Sequence, residues 1–233
     1  MKKHFSRFSK IILFSVLIFS LPQNFFPYVV KYKEDWYKLY HIHYAQNPDD
    51  CIENIYYLEK ATLSDFCNPL FCDAGITTEK EWEKYRYLFQ MHINLKLIEQ
   101  HLRLGRIYDK KVKNFYDAPW KDEYLRNLEK TLSCYEAGLY YWKEAKLWAE
   151  KANVNDFNFL FITKRQAWED ERERIKTGEL DYTKILNREI ERVKKVQKEF
   201  LETPSKSYSY ILYERIKQQF HDGNLSFNLC RNK

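Results

Sequence analysis

Histidine pairs are the first side chains in this 233-residue sequence whose spacing could serve chemistry. His41 and His43 would share a face, and so could share a metal ion, if they lay on a strand. The surrounding residues predict a helix instead, on which positions two apart diverge by about 200°. His92 and His101 lie on one predicted helix at a separation of roughly 13–14 Å, too far for one ion. We therefore predict no metal site and no cofactor.

Acidic clusters and nucleophiles are the next candidates. The clusters Glu79-Glu81-Glu83 and Glu169-Asp170-Glu171 are interpreted as helix-start charges and as a solvated helix face. No serine or cysteine lies in a nucleophile elbow, and no glycine-rich loop could hold a phosphate. The sequence thus predicts no catalytic residues and a protein that is not an enzyme.

The cysteines fit an exported chain, which can keep disulfides. Cys67 and Cys72 flank a loop-like stretch that contains Pro69, so a short disulfide between them is one possible pairing and Cys51 with Cys67 is another. Cys134 lies on an apolar helix, where a buried small side chain is expected. With Cys230 the total is five, so at least one thiol stays unpaired within the chain.

The first thirty residues have the pattern of an export signal. Four basic residues and no acid precede an apolar stretch from Ile11 to Leu21, which is the order found in secretory signals. Cleavage near Ser20 is favoured, while the uncharged run to Val30 is also long enough to serve as an uncleaved anchor. We therefore predict a periplasmic or other extracytoplasmic location. If the leader is retained, residues 11–30 tether the protein to the inner membrane.

The leader also accounts for most of the basicity. It contributes four of the six net positive charges, so residues 31–233 carry a net charge of +2. A nearly balanced chain gives little attraction for polyanions. The sequence therefore predicts no nucleic-acid partner.

Beyond the leader, apolar residues recur at helical spacing and no alternating run supports a sheet. Capping residues predict where helices begin, and glycine and proline predict where they end. The starts are Asp49 or Asp50, Thr77 or Thr78, Asp156 and Asp181, and the ends are Gly178, Pro204 and Gly223. Two long helices are expected near 79–110, with Gly105 as a weak point, and near 120–153, with Pro119 in its first turn.

These elements predict an all-α fold, either an antiparallel helical bundle or stacked helical hairpins, because short connections favour antiparallel neighbours. The predicted organisation is a signal or anchor over 1–30, a helical domain over 31–222 and a tail over 223–233.

Aromatic residues reach 18% of the sequence, and several lie off the main apolar stripes, such as Tyr57, Tyr87, Tyr140 and Tyr210. Tyrosine and tryptophan are favoured at interfaces because they combine a large area with a polar tip. A partner or ligand surface is therefore predicted. Its candidate residues are Trp82, Tyr141, Trp142 and Trp148.

Leu104-Gly105 followed by Tyr108 resembles the Leu-Gly-x-x-Tyr core of the first helix of a tetratricopeptide repeat. Pieces that resemble the second helix are Tyr57–Ala61 and the residues Ala145, Ala149 and Ala152. The resemblance covers about half of the chain, without the 34-residue period of such repeats. It implies stacked hairpins whose concave face holds a protein partner.

Two hypotheses of function follow. The first is an exported, non-catalytic scaffold or adaptor that binds other envelope proteins, as part of a larger membrane-associated assembly. The alternative is a helical binding protein for a small apolar or aromatic ligand, for which a closed cavity of a few hundred Å³ would be the discriminating observation.

Overall fold

The computed structural model describes residues 29–68, 76, 78–154, 163–206 and 208–221, and this part of the chain is all-helical. The chain divides into two compact units, residues 1–30 and 31–233, and the helices below belong to the second. They are α1 (Lys33–Gln46), α2 (Cys51–Leu63), α3 (Glu79–Asp109), α4 (Lys121–Lys151), α5 (Thr163–Lys176), α6 (Tyr182–Glu202) and α7 (Tyr208–His221). The predicted all-α class is confirmed.

Several predictions concern residues outside the described ranges, namely almost all of the leader, Cys72, the cap at Asp156 and the C-terminal tail. Within the described ranges, none of the helices has both the length and the apolar composition needed to cross a membrane.

Helix starts follow the predicted caps. Thr78 Oγ1 accepts from the Glu81 backbone N–H at 3.2 Å, and the Glu81 carboxylate accepts from the Thr78 backbone N–H. The two bonds form a capping box. Asp50 and Asp181 cap α2 and α6 through backbone N–H groups two or three residues later. Gly178, two residues beyond the end of α5, has a φ of 76°, which suits glycine at a helix stop. Pro119, expected in the first turn of α4, instead precedes its N-cap, Trp120.

The long helices α3 and α4 form the centre of the fold and run antiparallel. Tyr87 meets Trp148 near one end of the pair, and Gly105 meets Tyr135 near the other. A Cβ at Gly105 would lie 2.5 Å from the Tyr135 ring. Gly105 therefore permits the close approach of the two helices, and the predicted weak point is a packing site.

The remaining helices pack around this pair. The hairpin of α1 and α2 is antiparallel and lies against α3, where Tyr40, Ile55 and Leu58 are buried. Helix α6 lies along α4, and Leu186 and Phe200, which belong to its apolar residues at helical spacing, are fully buried. The described side chains of α7 are mostly exposed, among them Tyr210, Leu212, Tyr213 and Ile216.

The prediction of a solvated face at Glu169-Asp170-Glu171 is wrong for its two glutamates. Glu169 lies 3.1 Å from the Lys84 ammonium and 2.7 Å from Arg172, both of which are buried. Glu171 contacts the buried His92 of α3 at 2.5 Å. Helix α5 therefore packs on α3 through paired charges. The charged sequence of α5 does not show whether a given charge faces solvent or another helix.

Candidate functional site

A cavity of about 450 Å³, partly open to solvent rather than closed, lies where the start of α1, the end of α2, the first half of α3 and the last turns of α4 meet. This volume falls in the range of small-molecule sites. The side chains that line it are Lys33, Thr62, Phe66, Glu83, Arg86, Tyr87, Gln90 and Trp148.

Three aromatic rings form the apolar wall. Tyr87 and Trp148 face each other across α3 and α4 with ring centroids 5.9 Å apart, which the antiparallel register of these helices dictates. Phe66 reaches the cavity from the segment after α2 and packs its ring on Trp82 and Phe89 of α3. Faces of this kind bind planar aromatic groups by offset or edge contacts.

Lys33 contributes a buried ammonium. Its Nζ donates to the carbonyl oxygens of Ala61, at 2.9 Å, and Thr62, which lie in the last turn of α2. A cation suits this position because the final carbonyls of a helix have no partners within it. Burial lowers the pKa of Lys33 to about 8, although the nearby Asp65 and Glu34 carboxylates act to raise it.

The α3 wall carries the other polar groups of the cavity. Arg86 is half-exposed, and its Nη2 lies 3.0 Å from the Glu79 carboxylate. The Glu83 carboxylate accepts from the Tyr87 hydroxyl at 2.7 Å, which orients that ring. The Oε1 atom of Gln90 is buried and has no hydrogen-bond partner among the described residues. The cavity thus offers two cations, one carboxylate and one amide beside its aromatic wall.

A second polar arrangement lies in the core. His92 Nδ1 is 2.5 Å from the Glu171 carboxylate, and His92 Nε2 is 2.6 Å from the Tyr37 hydroxyl. The order carboxylate, imidazole, hydroxyl is that of a nucleophilic triad. Burial raises the pKa of Tyr37 far above its ordinary value. Tyr37 and His92 are both buried, and the contacts of the three groups join α1, α3 and α5.

A third cluster lies at the turn between α1 and α2. It contains three groups of the kind that bind metal ions, His43, Asp50 and Glu53. Each offers one ligand atom, and these atoms lie within 4.8 Å of one another. All three groups already have structural partners, since Asp50 caps α2, the His43 ring pairs with Asn54 Oδ1 at 3.0 Å, and Glu53 accepts from the Tyr57 hydroxyl. His43 thus helps to hold the hairpin together.

The four aromatic residues that the sequence singled out do not share one site. Trp148 lines the cavity. Trp82 is buried in the core and stacks on Tyr85 at 5.0 Å. On α4, Trp142 donates to Thr183 of α6 and Tyr141 donates to Glu59 of α2, both contacts between helices.

The three cysteines within the described ranges differ in burial and in contacts. Cys51 and Cys134 are free buried thiols, so the alternative pairing of Cys51 with Cys67 is absent from the described residues. Burial raises the pKa of Cys134 to about 11. Cys67 is half-buried and its backbone N–H donates to Glu34. Its proposed partner Cys72 lies outside the described residues, so the pairing of Cys67 with Cys72 stays a prediction.

Sequence reasoning did not identify Lys33, Phe66 and Arg86 as site residues. Lys33 occurs at a helix start and Phe66 in the least regular stretch, so neither belongs to a local pattern that signals binding. The off-stripe position of Tyr87 is the one sequence signal for this cavity, because a ring outside the core stripe is available to line a site.

Comparison with known families gives one match. A family model with the description "Domain of unknown function (DUF8513)" matches residues 80–203, which cover nearly all of α3 through α6. Lys33, Thr62 and Phe66 precede the matched range. No curated protein and no solved structure matches the chain.

Proposed function

The chain belongs to the DUF8513 family, and we propose that it is an exported, non-catalytic helical protein that binds a small apolar or aromatic ligand. The observation that carries this proposal is the cavity of about 450 Å³ with Phe66, Tyr87 and Trp148 in its wall. Ligand sites in helical proteins commonly lie between helices and combine apolar walls with a few polar groups.

Three contacts support a binding role over a catalytic one. Lys33 is bonded to two carbonyl oxygens, Arg86 is paired with Glu79, and Glu83 accepts from Tyr87. A general base or nucleophile needs a free reactive atom within reach of substrate. The ionisable groups of the cavity are instead arranged to hold helices and rings in place.

The finer description of the fold belongs to the same proposal. The antiparallel pairs α1–α2 and α3–α4 support an arrangement of stacked helical hairpins, the form that the tetratricopeptide resemblance implies. The leader would deliver this domain to the periplasm or another extracytoplasmic space. N-terminal sequencing of the protein from fractionated envelopes tests that delivery and distinguishes a cleaved signal from a retained anchor.

Ligand binding is tested on the purified full chain with naphthalene-2-carboxamide, a neutral planar probe. Saturation-transfer NMR and calorimetry should show binding that Thr62→Phe blocks by filling the cavity. The control Tyr140→Ala lies on α4 at a position that is 60% exposed and outside the cavity, so it should bind as the parent does. Absence of binding, or equal loss in both variants, would contradict the proposal.

A scaffold that binds other envelope proteins is the second candidate. It is favoured by the exposed apolar residues of α7, which are Tyr210, Leu212, Tyr213 and Ile216. An apolar helix face without cover is a feature of partner surfaces. A photocrosslinking residue at Tyr213 should capture partner proteins in intact cells, whereas one at the exposed Lys194 of α6 should not. Equal yields at the two positions would count against a scaffold role for α7.

A further inference from the structure

We propose that the ligand of this cavity is an aromatic carboxylate, whose ring lies against Phe66, Tyr87 and Trp148 while Lys33 and Arg86 receive its anionic group. This inference rests on the proposed function, because it names the chemical class of ligand for the same cavity. It is carried by two cations that line the same cavity as three aromatic rings.

The Lys33 ammonium is held where an anion could reach it. An ammonium has three donors, and the described residues take two of them, through the carbonyl oxygens of Ala61 and Thr62. These bonds fix the position of Nζ and leave one donor for a ligand oxygen. The ammonium also lies 5.3 Å from the centroid of the Phe66 ring, so the charge and the apolar wall are adjacent.

Arg86 supplies the second cation from α3. Its guanidinium lies 5.8 Å from the centroid of the Trp82 ring, a contact that restrains its plane. Its partner Glu79 is largely exposed, and exposed ion pairs of this kind contribute little free energy. A ligand carboxylate can therefore replace Glu79 at small cost and accept two parallel N–H bonds from the guanidinium.

Three carboxylates near the cavity would repel a bound anion. Glu34 and Asp65 lie close enough to Lys33 to act on its ionisation, and Glu83 faces the cavity from α3. Burial lowers the pKa of Lys33 more than the Glu34 and Asp65 carboxylates raise it, so that the pKa falls to about 8. The buried ammonium is thus incompletely compensated within the described residues, and a ligand carboxylate would supply the missing negative charge.

Calorimetry on the full chain with naphthalene-2-carboxylate and its neutral carboxamide tests this inference. At pH 7 the carboxylate should bind about tenfold more tightly, as a charge-assisted hydrogen bond predicts. Lys33→Met and Arg86→Gln should each remove most of that preference, because each variant removes a positive charge that favours the carboxylate over the neutral carboxamide. Arg86 is half-exposed, so its variant keeps the test valid if Lys33→Met does not fold.

Proton uptake provides a second readout that a purely steric role of Lys33 would not give. An anion beside Lys33 raises its pKa, so binding at pH 8.5 should take up protons and the binding enthalpy should depend on the buffer. Equal affinity for the two probes would overturn the inference while the proposed function stands. Binding of neither probe would overturn both.

Discussion

The Lys84 ammonium of α3 lies 3.1 Å from the Glu169 carboxylate of α5, and the Lys84 side chain is only 1% exposed. The same carboxylate lies 2.7 Å from Arg172. One glutamate therefore compensates two buried cations that belong to different helices. Its loss removes a carboxylate partner from both cations, and Arg172 then keeps Glu173 at 3.0 Å, whereas the loss of Lys84 still leaves Glu169 paired with Arg172.

This asymmetry predicts unequal effects in urea unfolding. Glu169→Gln should lower the free energy of unfolding by about 3–5 kcal/mol, the usual cost of breaking a buried pair. Lys84→Met should cost less, about 1–3 kcal/mol. The control Lys198→Met breaks an exposed pair with Glu202 and should change stability by less than about 0.5 kcal/mol. An effect of Glu169→Gln no larger than that of the control would show that the network contributes nothing to stability.

A second prediction concerns the hydroxyl of Tyr37. His92 Nδ1 lies 2.5 Å from the Glu171 carboxylate, and Nε2 of the same ring forms a hydrogen bond with the Tyr37 hydroxyl, 2.6 Å away. Tyr37→Phe leaves that buried nitrogen without its hydrogen-bond partner and should cost about 1–3 kcal/mol in urea unfolding. Tyr140→Phe, at an exposed position, should be neutral. Equal effects of the two variants would show that the hydrogen bond to His92 is not stabilising.

The third prediction is a pH dependence of stability due to Lys33. Its pKa is lowered from 10.5 to about 8 in the folded chain by burial, so between these values the unfolded chain binds more protons. Stability due to this group therefore rises with pH between about 8 and 10.5. Raised pKa values of buried acids such as Cys134 act in the opposite direction above about pH 9. The test is the difference in unfolding free energy between the parent and Lys33→Met, measured from pH 7 to 10. A constant difference would contradict the lowered pKa.

The features that the sequence predicted well depend on neighbouring residues. Thr78 with Glu81, and Asp181 with Thr183, lie within one helical turn, so their residue types alone specify a helix start. The apolar spacing along α6 likewise selected Leu186 and Phe200 for burial. Local rules of this kind account for the all-α class and for most helix ends.

The cavity depends on contacts between distant parts of the chain. Lys33 and Thr62 are 29 residues apart, and their contact follows from the pairing of α1 with α2, which neither local pattern encodes. Glu169 was interpreted as solvated for the same reason, because nothing in a charged helix indicates which of its charges meet a buried lysine. The residues of the predicted partner surface do not lie together, because Trp142 contacts α6 and Tyr141 contacts α2.

The fourth prediction concerns Gly105. Replacement of glycine by alanine within a helix normally adds about 1 kcal/mol of stability. Gly105→Ala should instead lower stability by about 1–3 kcal/mol, because its Cβ would lie 2.5 Å from the buried ring of Tyr135, which has little room to move. Gly138→Ala is the matched control on α4, since its Cβ would meet only the end of the Leu186 side chain at 3.0 Å. Urea unfolding should place Gly138→Ala near or above the parent and Gly105→Ala below it. A stabilised Gly105→Ala would show that α3 and α4 do not need the close approach at Tyr135.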